Sequence, residues 1–198
     1  MHQRSRRQDG VFAVEFAMLA GLFFIFLFAL LEVARAVYLW NVVPEITRRA
    51  ARAAAVADFS NAGQLQAVRA QAVLRAGPGR LPLGGAISDA YVRIDYVSQP
   101  EEAGDVTDAP PVSAMPGCPQ RNRINCLANP HGASCIRFVR AQLCLPGGDS
   151  CERVPYRPIL PMLDMLFPSG ARAVRLPSGV TVAVAESLGY QDNAAFCP

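Results

Sequence analysis

The sequence predicts an α+β chain: a long N-terminal transmembrane helix continuing into a small antiparallel-sheet extracytoplasmic domain with disulfides. Three observations carry that reading. No charged residue occurs from Phe16 to Leu31, long and apolar enough to begin a membrane helix. The stretches YVRIDYV and GVTVAVAE alternate with the period of a strand. All six cysteines, Cys118, Cys126, Cys135, Cys144, Cys151 and Cys197, fall after residue 117, and an even number clustered in one half of an exported chain reads as a disulfide framework.

Composition narrows the function classes. The chain has 198 residues, 52% of them hydrophobic, which suits one membrane segment plus one modest globular domain. The net charge of +3 comes with arginine as the only strong base. It is too small and scattered for nucleic-acid binding. Zinc is the competing reading of the cysteines, but no C-x-x-C occurs, and the first five are seven to nine residues apart. Six cysteines allow 15 pairings, and sequence does not choose among them. Cys144 and Cys151 flank LPGGDS, a turn that could bring them within bridging distance. Cys197 would then tie the C-terminus to the upstream loop.

The elements follow in order. A span of about 20 residues is met by Val11 to Leu31 if Glu15 is tolerated, or by Phe16 to Trp40 if Glu32 and Arg35 are. Arg4, Arg6 and Arg7 favour a cytoplasmic N-terminus. Arg48, Arg49 and Arg52 weaken that rule, and the disulfides break the tie. An Ala34-x-Ala36 site suggests a cleavable signal peptide, but the apolar stretch is long and its helical pattern runs on past the site. A helix from Val11 to Ala57 is expected, with a kink at Pro44. Glu45 is placed to meet Arg48 or Arg49, and the arginines read as a solvated face. QLQAVRAQAVLRA predicts a second helix with Leu65, Val68, Ala72 and Leu74 toward a core, ended by GPGRLPLGG.

Beyond it, YVRIDYV is a half-buried strand with Val92, Ile94 and Tyr96 on one face and Arg93 and Asp95 on the other. Residues 99 to 116 form a polar, Pro-rich loop. CIRFVRAQLCL is a strand ending at the PGGD turn. VPYRPILPMLDMLF reads as a short edge strand and an apolar helical stretch. GVTVAVAE is the last strand, with Val180, Val182 and Val184 on one face.

Glu15 sits at the start of the apolar run. An interfacial acid near a helix N-terminus is favoured by the dipole. A cut after Gly10 offers a second reading: Val11 becomes residue one, and a neighbour's α-amine could meet Glu15 and enforce register. Glu32 and Arg35, three apart, could form a local ion pair or an intersubunit contact.

The arrangement R-R-x-x-G, four residues, Glu and then an apolar helix resembles type IV prepilins. GVFAVEFAML followed by LLEVARAVYLWN is similar to the TadE family of tight-adherence (Flp) pilus assembly proteins. The likeness is strong over residues 6 to 58 and fair over 153 to 188, where YRPILPMLDML matches a Tyr-x-Pro and L-P-x-L-like segment. Residues 99 to 152 depart from a minimal member and read as an insertion.

The resemblance implies a prepilin-like leader over 1–10, removed between Gly10 and Val11 by a membrane aspartyl prepilin peptidase. The residues themselves mark out a transmembrane helix over 11–40, extracytoplasmic helices over 41–76 and a disulfide-containing α+β domain over 86–198. The resemblance also implies subunit register through Glu15, Glu32 and Arg35, with inner-membrane lipid and other pilin-like subunits as partners. The chain is then a single-pass inner-membrane protein with a periplasmic C-terminal domain, either staying in the membrane or entering the pilus. The alternative is a membrane-anchored, disulfide-rich binding or adhesion module. No cofactor or enzymatic activity is expected. His2 lies in the leader, His131 in a loop, Asp164 and Glu186 in structural segments, and no catalytic motif is assembled.

Overall fold

The computed structural model describes residues 5–100, 105–148, 150–159 and 174–192. Its spine is α1, Ser5–Val56. Its 52 residues span roughly 78 Å at 1.5 Å per residue. Among the described residues, nothing covers the large apolar side chains from Val11 to Leu31. Burial begins at Glu32 and recurs at Arg35, Leu39, Val43, Ile46, Thr47, Ala50, Ala51, Ala54 and Ala55. That spacing of three and four is one helical stripe. The alanines let the sheet approach closely. Pro44 lies inside the helix, which runs on past it as expected. Its ring removes one backbone donor, and the Thr47 hydroxyl donates to the Pro44 carbonyl at 3.0 Å.

Helix α2, Ala62–Ala72, is capped by Asn61, whose side chain accepts from the Gln64 amide. It ends sooner than its pattern predicts. The Arg75 amide bonds the Ala70 carbonyl and the Leu74 amide bonds the Gln71 carbonyl, which closes the helix with Leu74 in the left-handed conformation. Leu74 is consequently exposed, and Val73 takes the core position.

The sheet has three antiparallel strands in the order β1 (Val92–Val97), β2 (Phe138–Leu143) and β3 (Val180–Val184). Its inner face presents Val92, Ile94, Tyr96, Val139, Ala141 and Leu143 to α1. On β3 the face chosen is the small one. Ala183 packs into both core clusters, and the Thr181 hydroxyl lies 2.9 Å from that of Thr47. Val180 and Val184 point outward and are exposed. Gly179 explains the choice: a Cβ there would come within 2.9 Å of the Val43 side chain. β3 lies too close to the helix for valines to fit between.

Between β1 and β2, the loop after residue 105 is tied down by its own backbone and by buried Arg140, and it is followed by a helix, α3 (Pro119–Ala128). Polar composition hides α3 from a search for apolar period, since its buried residues are Pro119, Gln120 and Asn122. Asn122 donates to the Ile136 carbonyl and accepts from the Ile136 amide, so the contact is hydrogen-bonded. The expected edge strand near Tyr156 is only an isolated bridge between Pro155 and Arg175. Most of the apolar stretch expected to follow it, from residue 160 to 167, lies outside the described residues.

Candidate functional site

A buried polar cluster sits where α1 first meets the domain. Helical side chains lean toward the helix N-terminus, so Glu32 and Arg35 both point back toward the uncovered end of α1. Each is only 8% exposed. The Arg35 Nη1 lies 3.2 Å from the Glu32 Oε1. The same nitrogen donates to the Arg157 carbonyl at 2.8 Å and to the Tyr156 hydroxyl at 3.3 Å, while Nε donates to the Leu83 carbonyl at 2.9 Å. The guanidinium also lies 5.3 Å from the centre of the Tyr156 ring.

Glu32 is satisfied from the other side. The Tyr156 hydroxyl donates to Oε1, and the Ile159 amide donates to both carboxylate oxygens at 3.3 Å. Burial, and then the bond to the Glu32 carboxylate, push the Tyr156 phenol up to about 12. It therefore stays a neutral donor. The arrangement holds together three chain segments distant in sequence: α1, the loop carrying Leu83 and the stretch from Tyr156 to Ile159. Tyr38 adds a bond from its hydroxyl to the Pro82 carbonyl.

Such a cluster is a mechanical part. Its charges are paired and hydrogen-bonded, so the net gain over an apolar contact is small, whereas removing one partner costs about 3–5 kcal/mol. Within the chain, Glu32 and Arg35 are thus committed to each other and to the domain. Tyr156 and Leu83 were not singled out from the sequence. The available signal was the Tyr-x-Pro segment at Tyr156.

The remaining candidates lie elsewhere. Gly10 and Val11 sit within α1, exposed, with open space where a Gly10 Cβ would go. Glu15 is exposed on the apolar span, and among the described residues nothing in the chain pairs with it. Cys126 is bonded to Cys135 across α3 and the following loop, and Cys144 to Cys151 across the turn after β2, with Cα separations of 4.7 and 4.9 Å. Cys118 is disulfide-bonded as well; Cys197 lies outside the described residues. The His131 Nδ1 meets the carbonyls of Gln99 and Pro100 at 3.0 and 3.1 Å, bracing a loop. Glu186 is exposed, its amide bonded to the Ala55 carbonyl. Asp164 is outside the described residues. Among the described residues, no group of three or more His, Cys, Asp or Glu side chains could hold a metal ion.

Neither a curated protein nor a solved structure matches the chain. A family model does: residues 10–52, the stretch of α1 that contains Gly10, Glu15, Glu32 and Arg35, match the TadE family, described as TadE-like protein, the family that the motifs resemble.

Proposed function

We propose that this chain is a minor pseudopilin of a tight-adherence pilus machine, anchored in the inner membrane and acting through helix packing. The observation that carries the reading is the uncovered apolar helix from Gly10 to Leu31, joined at Glu32 to a folded domain and lying inside the TadE-like match. Those residues span roughly 33 Å, close to the thickness of a bilayer's hydrocarbon core. The span is therefore 10–31, shorter than a segment reaching Trp40. The N-terminus is cytoplasmic and the disulfide-bearing domain extracytoplasmic. Arg48 then stands roughly 25 Å beyond Leu31 along the helix, out of reach of lipid phosphates, and Arg48, Arg49 and Arg52 face water or a neighbouring subunit.

In this reading prepilin peptidase cuts between Gly10 and Val11. Gly10 suits the cut because glycine weakens a helix by about 1 kcal/mol relative to alanine and leaves the backbone open to close approach. The new α-amine of a neighbouring pilin-like subunit pairs with Glu15, which has no partner among the described residues of its own chain. Losing Glu15 lifts the insertion cost of a carboxylate but removes the register.

Processing tests the reading first. Mature protein from membranes should begin at Val11, and Gly10→Val should leave full-length precursor. A mature N-terminus at Met1 or Val37 overturns it and favours the tethered binding module. Assembly tests the second half. Glu15→Val should insert and be cut, yet fail to co-purify with its pilus partners at matched membrane levels. Equal recovery with intact pili reduces Glu15 to an interfacial acid.

A further inference from the structure

Two large apolar side chains are displayed at the clamp. Leu83 is 68% exposed and Ile159 is 62% exposed. A single exposed leucine on a protein surface is ordinary. These two are not scattered. The Leu83 carbonyl accepts from Arg35 and the Ile159 amide donates to Glu32, so both loops are bolted to the same turn of α1. That turn is the first above the uncovered span, and its side chains lean toward the span.

Leu83 also holds a left-handed backbone, φ +56°, a conformation that favours glycine and is costly for a branched side chain. Gly84 and Gly85 follow it, yet the exposed tip is a leucine. Arg157, exposed beside Ile159, supplies a cation at the same level.

We infer that Leu83 and Ile159 form an apolar foot by which the domain rests in the outer leaflet of the membrane, with Arg157 set to meet a lipid phosphate. Interfacial apolar groups seat themselves at the boundary between headgroups and acyl chains, and basic side chains reach the phosphates above it. The clamp thereby does two things. It fixes the domain to α1, and it sets the height of the foot at the point where the helix leaves the bilayer. A domain held at both places cannot swing freely about the helix, so the face it offers to neighbouring subunits is fixed relative to the membrane. The inference rests on the membrane-spanning reading of residues 10–31.

The test uses the full chain in lipid nanodiscs containing phospholipids brominated at shallow acyl positions. Trp40, the single tryptophan, is changed to Phe, and single tryptophans are placed by Leu83→Trp, Ile159→Trp, Phe24→Trp and Leu127→Trp. Leu127 is 85% exposed and sits on α3, which packs beside Ile136 near the far end of α1. Bromine should quench the Leu83→Trp and Ile159→Trp emission at least about twofold more than that of Leu127→Trp, as the interfacial depth requires. Ile159 carries no unusual φ, so it reports even if the strained Leu83 position rejects tryptophan. Phe24→Trp separates the two readings. If it is quenched while Ile159→Trp matches Leu127→Trp, the helix spans and the foot is wrong. If Phe24→Trp is not quenched, the spanning reading fails and the foot falls with it.

Discussion

Two buried tyrosines show how differently one hydroxyl can act. Tyr156 gives its proton to Glu32. Tyr96, in contact with Phe59 at 5.8 Å between ring centres, has a buried hydroxyl with no partner among the described residues. Tyr156→Phe should therefore destabilise the chain by about 1.5–3 kcal/mol, the value of a hydrogen bond to a charged group. Tyr96→Phe should be neutral or stabilise by up to about 1 kcal/mol. Denaturant titrations in detergent would check both, and equal losses would contradict the contrast. Burial raises Tyr96 to about 12, with Asp58 adding to the rise and Arg69 opposing it; burial and Glu32 raise Tyr156 to about 12. In the unfolded chain both ionise near 10. Between those values the unfolded state has released protons that the folded state keeps, so stability falls as pH rises through that window. The alkaline loss should shrink in either Phe variant.

At the scale of elements, the packing of β3 on α1 and the bracing of the long loop are the informative contacts. Gly179→Ala puts a Cβ within 2.9 Å of Val43 and 3.1 Å of Thr47. Pushing the strand away should cost about 1–3 kcal/mol, read as a lowered denaturation midpoint. Arg140 lies on the outer face of the sheet but is 7% exposed. It bonds Asp95 at 3.2 Å and the carbonyls of Thr107 and Ala109 at 2.9 and 2.6 Å. Arg140→Met should cost about 3–5 kcal/mol and open residues 105–112 to limited proteolysis. Arg49, paired with Glu45 at 2.7 Å but about half exposed, is the comparison: Arg49→Ala should cost under about 0.5 kcal/mol. An unchanged cleavage pattern in Arg140→Met would show that the loop is held by something else.

Over the whole molecule, one helix presents two kinds of surface. Its first part is uncovered, its second is the spine of the sheet domain, and the Glu32–Arg35 clamp marks the change. The domain is small, and two of its cross-links close short loops, with sequence separations of 9 and 7. Loop-closure entropy assigns each about 2.5 kcal/mol. Replacing Cys126 and Cys135 together by serine should lower stability by that amount, as should replacing Cys144 and Cys151, while leaving the span in the membrane. No shift in denaturant midpoint for either pair would mean that the unfolded state already holds those loops closed.

The sequence by itself determined whatever is written in local period and spacing. The long apolar helix, the alternating β1 and β3 segments and the turn that sets Cys144 near Cys151 all follow from neighbours within a few residues. The tertiary structure decided what depends on distant neighbours. Three valines mark one face of β3 clearly, but which face turns inward depends on how closely α1 approaches at Gly179, and there the smaller residues win. Helix α2 stops at Ala72 because the core takes Val73 and turns Leu74 out, against the apolar pattern. Helix α3 is held by Asn122 and a disulfide, contacts with no apolar period. Glu32 and Arg35 were legible as a pair. Their burial was not, because the groups that desolvate and satisfy them, Leu83, Tyr156 and Ile159, lie 48 to 127 residues away and are brought to one turn of the helix only by the fold.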